Sequence, residues 1–285
     1  FAVAFKNVVD KLGIVYTPIE VVDFIIHSVN DILKKEFGKS LTDKGIKIID
    51  PFTGTGTFIT RLLQSGLIKK EDLARKYKKE IFANEIVLLA YYIASINIEN
   101  VYHSLLAENE NYKSFDGICL TDTFQLNEDT INENIINSSD NLLAGVENAE
   151  NIVLENSERI KKQKKSPIRI IISNPPYSKG QKSANDNNQN QHYEKLEEKI
   201  KNAYVKYSKS SNKNRIYDSY IKAFKWASDR IDTNKGGIIG FITNSGWIDS
   251  GGADGFRYCL EKDFSSIYIF DLKGAIRGKS GEVVK

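Results

Sequence analysis

Between residues 17 and 38, apolar side chains recur at helical spacing. Val22, Ile25, Ile26, Val29, Ile32 and Leu33 share one face, and the pattern ends near Phe37-Gly38. Thr17 and Glu20 have capping-box spacing with Pro18 in the first turn, so a well-capped amphipathic helix is predicted. A different pattern follows. Ile46–Asp50 is a short β-branched run, the turn Pro51–Phe58 is rich in glycine and threonine, and a helix is expected over Ile59–Gln64, ended by Gly66. The same alternation then repeats. A polar helix over Glu71–Lys79 leads to a strand over Ile81–Glu85, and an apolar helix over Ile86–Ile98 to a third strand over Phe115–Leu120.

Later segments keep this order. A charged helix over Val146–Lys165 precedes a fourth strand, Ile170–Ile172, which delivers the chain to Asn174. A helix over roughly Tyr193–Tyr207, an amphipathic helix over Arg215–Ile231, a fifth strand over Ile238–Thr243, a helix over Asp254–Lys262 and a sixth strand over Ser266–Leu272 complete the pattern. Strand and helix in alternation predict an α/β fold, a mostly parallel sheet with helices on both faces. Residues 1–285 read as one domain carrying polar insertions at about 125–167 and 178–214.

Composition changes this picture little. A hydrophobic content of 41% against 27% charged residues suits an ordinary globular core, and no apolar run reaches membrane length. Cys119 and Cys259 have no metal-ligand spacing, and His27, His103 and His192 are scattered, so no metal site is expected. Two core thiols and no signal-peptide pattern point to the cytoplasm. The chain begins at Phe1 and has no methionine, as expected of a fragment of a larger protein. Net charge is only +3, but residues 178–215 hold nine basic against four acidic side chains, a local excess of 9 − 4 = 5. Lysines interleaved with Tyr193, Tyr204 and Tyr207 suit a nucleic-acid backbone and an unstacked base, or equally a solvated insertion.

Candidate chemistry sits at the strand ends. Asp50-Pro51-Phe52-Thr53-Gly54-Thr55-Gly56-Thr57 is a strand-to-helix turn whose small residues let backbone N–H groups approach a ligand. A Walker loop is excluded, since no Gly-Lys-Ser/Thr follows, and the three-glycine dinucleotide spacing is absent. Glu85 ends the second strand, where a carboxylate grips ribose hydroxyls. After the third strand, Asp122 can accept from a nucleobase amine and Phe124 can stack, or the two are a turn acid and a core ring. The sharpest stretch is Asn174-Pro175-Pro176-Tyr177. Two prolines forbid further ladder pairing and hold an amide, a carbonyl and a flat ring at a rigid strand end. The Asn174 side-chain oxygen and the Pro175 carbonyl can each accept one N–H of an exocyclic amine while Tyr177 stacks on the ring. Acceptors off the ring plane turn the nitrogen lone pair into a nucleophile.

Taken in order, Val15-Tyr16-Thr17-Pro18, Asp50–Gly56, Asn84-Glu85, Asp122, Asn174–Tyr177, the helix around Tyr217–Tyr220 and the strand Gly237–Asn244 resemble an adenine-N6 DNA methyltransferase of the amino-methyltransferase group. The closer likeness is to the methylase part of type ISP single-chain restriction-modification enzymes, carried by Gly13–Val21, Ala83–Glu99, Asn174–Asn190, Tyr217–Arg230, Gly246–Asp249 and Ala253–Asp271. The resemblance implies a Rossmann-like S-adenosylmethionine-dependent fold. Tyr16, Thr17 and Pro18 would flank the methionine end of the cofactor. Asp50, Pro51, Phe52, Thr53, Gly54, Gly56 and Thr57 would hold its centre, Glu85 the ribose, and Asp122 with Phe124 the adenine. Double-stranded DNA is the implied substrate, its target adenine flipped out onto Asn174–Tyr177, with Lys179 and Lys182 near the backbone. Nuclease, helicase and target-recognition regions are the implied partners. An aromatic loop that closes the base pocket in that group finds no match after Asp271. The same Asn-Pro-Pro-Tyr chemistry also serves methylation of RNA or of a protein glutamine.

Overall fold

Strand side chains divide alternately between two cores. Ile48, Ile81, Ala83, Ile170 and Ile172 face one, while Ile49, Phe82 and Ile171 face the other. Such period-two sorting requires a sheet covered on both sides. In the computed structural model, which describes residues 17–106, 111–127, 149–176, 192–211 and 214–272, five parallel strands take the order β3-β2-β1-β4-β5. They are β1 (Ile48–Asp50), β2 (Ile81–Glu85), β3 (Ile118–Leu120), β4 (Ile170–Ser173) and β5 (Ile238–Phe241).

The first core is closed by α1 (Ile19–Phe37), α2 (Thr57–Gln64), α3 (Lys70–Arg75) and α4 (Leu88–Ser104), through Val22, Ile26, Leu62, Leu73, Ala94 and Ile98 among others. On the opposite face lie α6 (Glu194–Ile200), α7 (Ser219–Arg230) and α9 (Asp254–Asp263), with the single turn α8 (Gly246–Asp249) before the last. Between them in sequence, α5 (Ala149–Lys164) packs Ile160 on Cys119 beside β3. The expected α/β architecture, with helices on both faces, is the one observed.

Three local expectations are corrected. Thr17 does not cap α1; Pro18 stands at the N-cap position without a side-chain bond, and the Thr17 hydroxyl is engaged elsewhere. The polar helix before β2 does not run through as α-helix. It ends at Arg75 and closes in a π-turn, Lys76–Glu80, because the buried Lys76 ammonium donates to the carbonyls of Asp43 and Ile46 at 2.8 and 2.7 Å. The sixth strand does not form. Residues 266–272 run past the outer side of α1 with no ladder; Phe270 touches Phe24 at 4.8 Å and Lys35 donates to the Tyr268 hydroxyl. β-Propensity makes such a run extended, but pairing needs an edge beside it.

A second π-turn, Lys201–Val205, extends α6 and meets α9 at Gly255. A Cβ there would lie 2.0 Å from the Tyr204 carbonyl oxygen, so only glycine permits this approach. Gly255→Ala is expected to cost about 2 kcal/mol or more through overpacking. Urea denaturation measures it, and an unchanged midpoint would show that the contact yields freely.

Candidate functional site at the carboxyl end of the sheet

In a parallel sheet every strand end of one polarity falls on one edge. The order 3-2-1-4-5 reverses direction between β1 and β4, and that reversal opens a crevice beyond their carboxyl ends. Asp50 ends β1, Glu85 ends β2, Ser173 and Asn174 end β4, and Asp122 follows β3 by two residues. Four parts of the chain distant in sequence thereby reach one rim.

The turn after β1 is tied down from several directions. Thr53 donates its hydroxyl to the Asp50 carbonyl at 2.8 Å and its N–H to the Asn84 carbonyl at 2.9 Å. Gly54 N–H donates to Glu85 Oε2 at 2.8 Å, and Val87 N–H to Oε1 at 2.7 Å. Gly56 adopts φ 89° at the start of α2, packed against Ala94 and Ile98, so a side chain there would be both strained and crowded. Phe52 leans on Phe124 at 5.3 Å, joining the turn to the segment after β3.

Across the reversal, Ser173 donates its hydroxyl to Asp50 Oδ1 at 2.5 Å. One residue on, half-buried Asn174 donates Nδ2 to Thr17 Oγ1 at 3.0 Å, which is the engagement that takes Thr17 away from capping. Pro175 is buried beside it. Asp122 accepts from the Phe124 N–H at Oδ1 (2.9 Å) and from the Tyr193 hydroxyl at Oδ2 (2.8 Å). Beneath the rim, Gln163 donates to Asn84 Oδ1 at 2.8 Å, Asn84 to the Thr123 hydroxyl at 3.1 Å, and Thr123 to the Pro51 carbonyl at 2.5 Å. That buried chain of amides fixes the turn and the Asp122 segment relative to each other.

Both strand-end acids are perturbed. Burial pushes the Asp50 carboxyl up to about 7, against the opposing donors Ser173 and the Phe52 N–H, with the Glu85 charge adding to the rise. Glu85 is pushed up to about 7 by burial too, opposed by the N–H groups of Val87, Gly54 and Ile86. Asp50 Oδ2 is buried without a hydrogen-bond partner among the described residues.

Thr17, Pro18, Asp50–Gly56, Thr57, Glu85, Asp122, Phe124 and Asn174–Pro176 thus gather along one rim, although Pro18 is exposed. Tyr16, Tyr177, Lys179 and Lys182 lie outside the described residues. The tyrosines expected to meet nucleic acid divide: Tyr193 and Tyr204 are 5% and 1% exposed, and only Tyr207, at 47%, faces outward. Tyr193, Leu196, Ile200 and Tyr204 follow a helical stripe, a signal already present in the sequence that marks them as inward-facing. Ser173 was missed as well. A lone polar residue closing a run of isoleucines, on the opposite face from Ile172, was its only mark.

A switch-point crevice of this kind, on a sheet of this order, defines a Rossmann-like α/β fold. The Eco57I restriction-modification methylase family matches residues 77–275, and the chain belongs to it. Solved structures agree. A nuclease-deletion mutant of the type ISP restriction-modification enzyme LlaGI, in complex with a DNA substrate mimic, is 48% identical over 88% of this chain, with a TM-score of 0.75. The ATP-dependent type ISP enzyme LlaBIII bound to DNA is 47% identical over 91% (TM-score 0.76), and DrdV in a DNA complex is 40% identical over 93% (TM-score 0.75). The chain spans only 20%, 16% and 24% of those three chains. Among curated proteins there is no significant match.

The raised carboxyls have a consequence for stability. Groups whose folded pKa exceeds the unfolded value contribute stability below about pH 4 that is lost as pH rises through about 7. Without ligand, stability should therefore fall on the order of 5 kcal/mol from pH 5 to 7.5, about half from each carboxyl. Asp50→Asn, which keeps an acceptor for Ser173, should flatten that slope by roughly half. Urea titrations at the two pH values decide; an unaltered slope would show that Asp50 is ionised throughout.

Proposed function

We propose that this chain is the catalytic methylase part of a site-specific DNA methyltransferase in a restriction-modification system, transferring methyl from S-adenosylmethionine to N6 of a flipped-out adenine. The observation that carries this reading is the tie between the Asn174-Pro175 strand end and the cofactor-side turn, Ser173 to Asp50, across the reversal of the sheet. Family membership and the DNA-bound state of LlaGI, LlaBIII and DrdV support the substrate class.

The cofactor fits the crevice on two counts. The orphaned Asp50 Oδ2 is a buried acceptor that a ligand donor or bridging water would satisfy. A Cβ at Gly54 would meet nothing within 4 Å, leaving room for close approach to the turn. When bound, the cofactor supplies a methyl group on a positively charged sulfur. Tyr16, Thr17 and Pro18 flank its amino-acid end, Asp50, Pro51–Gly56 and Thr57 its centre, Glu85 the ribose, and Asp122 with Phe124 the base.

At the target amine, Asn174 Oδ1 and the Pro175 carbonyl each accept one N–H, so the nitrogen lone pair leaves ring conjugation, and Tyr177 stacks on the base. The Thr17 bond supports that orientation: with Nδ2 turned to a hydroxyl, the oxygen is the end of the amide presented to a donor. No strong base is required, because an alkylated ammonium gives its proton to solvent. Positioning and these two acceptors carry the rate. Lys179 and Lys182 contact the DNA backbone, and nuclease, helicase and target-recognition regions of a longer polypeptide complete the enzyme.

Labelled S-adenosylmethionine incubated with this chain and genomic DNA lacking adenine methylation should yield N6-methyladenine. Label in RNA or in a protein glutamine instead would replace the substrate assignment. Asn174→Ala should reduce transfer at least 100-fold while cofactor affinity changes less than about threefold; joint loss of both counts against the assigned role. Removing Lys179 and Lys182 together should lower the salt-dependence slope of DNA binding by about 2, and an unchanged slope takes both out of the interface.

A further inference from the structure

Tyr193 lies close to the start of a segment whose charge suits nucleic acid, yet its side chain is buried at the opposite task. Its hydroxyl donates to Asp122 Oδ2 at 2.8 Å, and its ring meets Phe124 edge-on at 5.3 Å. Phe124 in turn leans on Phe52 of the glycine turn, so three aromatic rings connect α6 to the cofactor-side loop. The phenol is itself fixed. The Lys222 ammonium sits 5.2 Å from the ring centre, and that lysine is held by Glu197 at 2.6 Å, one turn into α6. A cation over a phenol draws electron density from the ring and strengthens the hydroxyl as a donor.

Resting on the cofactor reading above, we propose that Tyr193 is a positioning residue for the cofactor's base: it holds the Asp122 carboxylate in the plane that accepts the exocyclic amine of adenine. The physical reason is the number of donors on that carboxylate. The Phe124 N–H on Oδ1 comes from the carboxylate's own short segment. A second on Oδ2 from a different element fixes the plane. A fixed acceptor discriminates by chemistry, because a ring bearing a carbonyl where adenine bears an amine would set oxygen against carboxylate. Tyr193 thereby contributes to selectivity for an adenine ring over its deaminated counterpart, without touching the methyl group or the DNA base.

The test is calorimetric titration of the chain with S-adenosylhomocysteine and with S-inosylhomocysteine. Wild-type protein should favour the adenosyl compound by about 100-fold. Tyr193→Phe keeps the ring packing and removes only the hydroxyl. It should weaken the adenosyl compound about 10-fold and the inosyl compound less than twofold, narrowing selectivity. Asp122→Asn should narrow it as well, and the double variant should lose little more than Asp122→Asn alone, as expected when one residue acts through the other. Equal weakening of both compounds by Tyr193→Phe would reduce Tyr193 to a packing residue and overturn the proposal, as would unchanged affinity for both. Wild-type protein that binds neither compound would overturn the cofactor reading itself, and this assignment with it.

Discussion

The bond from the Ser173 hydroxyl to Asp50 is the constraint on which the rest of the site depends. β1 and β4 are neighbours in the sheet but lie on either side of its reversal, so their following loops diverge and leave a crevice. Without a tie across that crevice the two rims would be set by the ladder pairing that ends one or two residues below, at Ile49 and Ile171. A hydroxyl-to-carboxylate bond at the last strand position fixes the distance between the turn and the Asn-Pro-Pro segment where it matters. Its cost is visible in Asp50 itself, which is wholly buried, half-satisfied and shifted upward toward neutrality.

That cost is spread over a scaffold with little slack. Glu85 is buried under three backbone N–H groups, and the Gln163–Asn84–Thr123–Pro51 chain runs without a break beneath the rim. A half-satisfied polar network in a low-dielectric interior would be the weak point of a fold. Here the unsatisfied oxygen is buried on an acid adjoining the glycine turn.

Two segments that carry aromatic side chains separate once packed. Both the 178–214 insertion and the 266–272 run carry exposed-looking aromatic residues in sequence. The helical part of the first turns Tyr193 and Tyr204 into the core beneath α7 and α9, while the second leaves Tyr268 and Phe270 outside, resting on α1. Burial followed the helical stripe in one and the want of a paired edge in the other.

The sequence by itself determined five of the six expected strands, their parallel arrangement and most of the rim. β-branched runs alternating with amphipathic helices admit few other folds, and proline after β1 and β4 marks where the chain leaves the ladder at those two strand ends. Asp50, Glu85, Asp122 and Asn174 were legible for that reason, being the polar residues that close those runs. Local pattern carries no information about which distant groups meet. That Thr17 serves Asn174 rather than its own helix, that Ser173 reaches Asp50 over 123 positions of sequence, and that Tyr193 faces Asp122 were decided only by the tertiary structure. The energy of such bonds comes from burial and geometry that exist only once the sheet has brought its strand ends together.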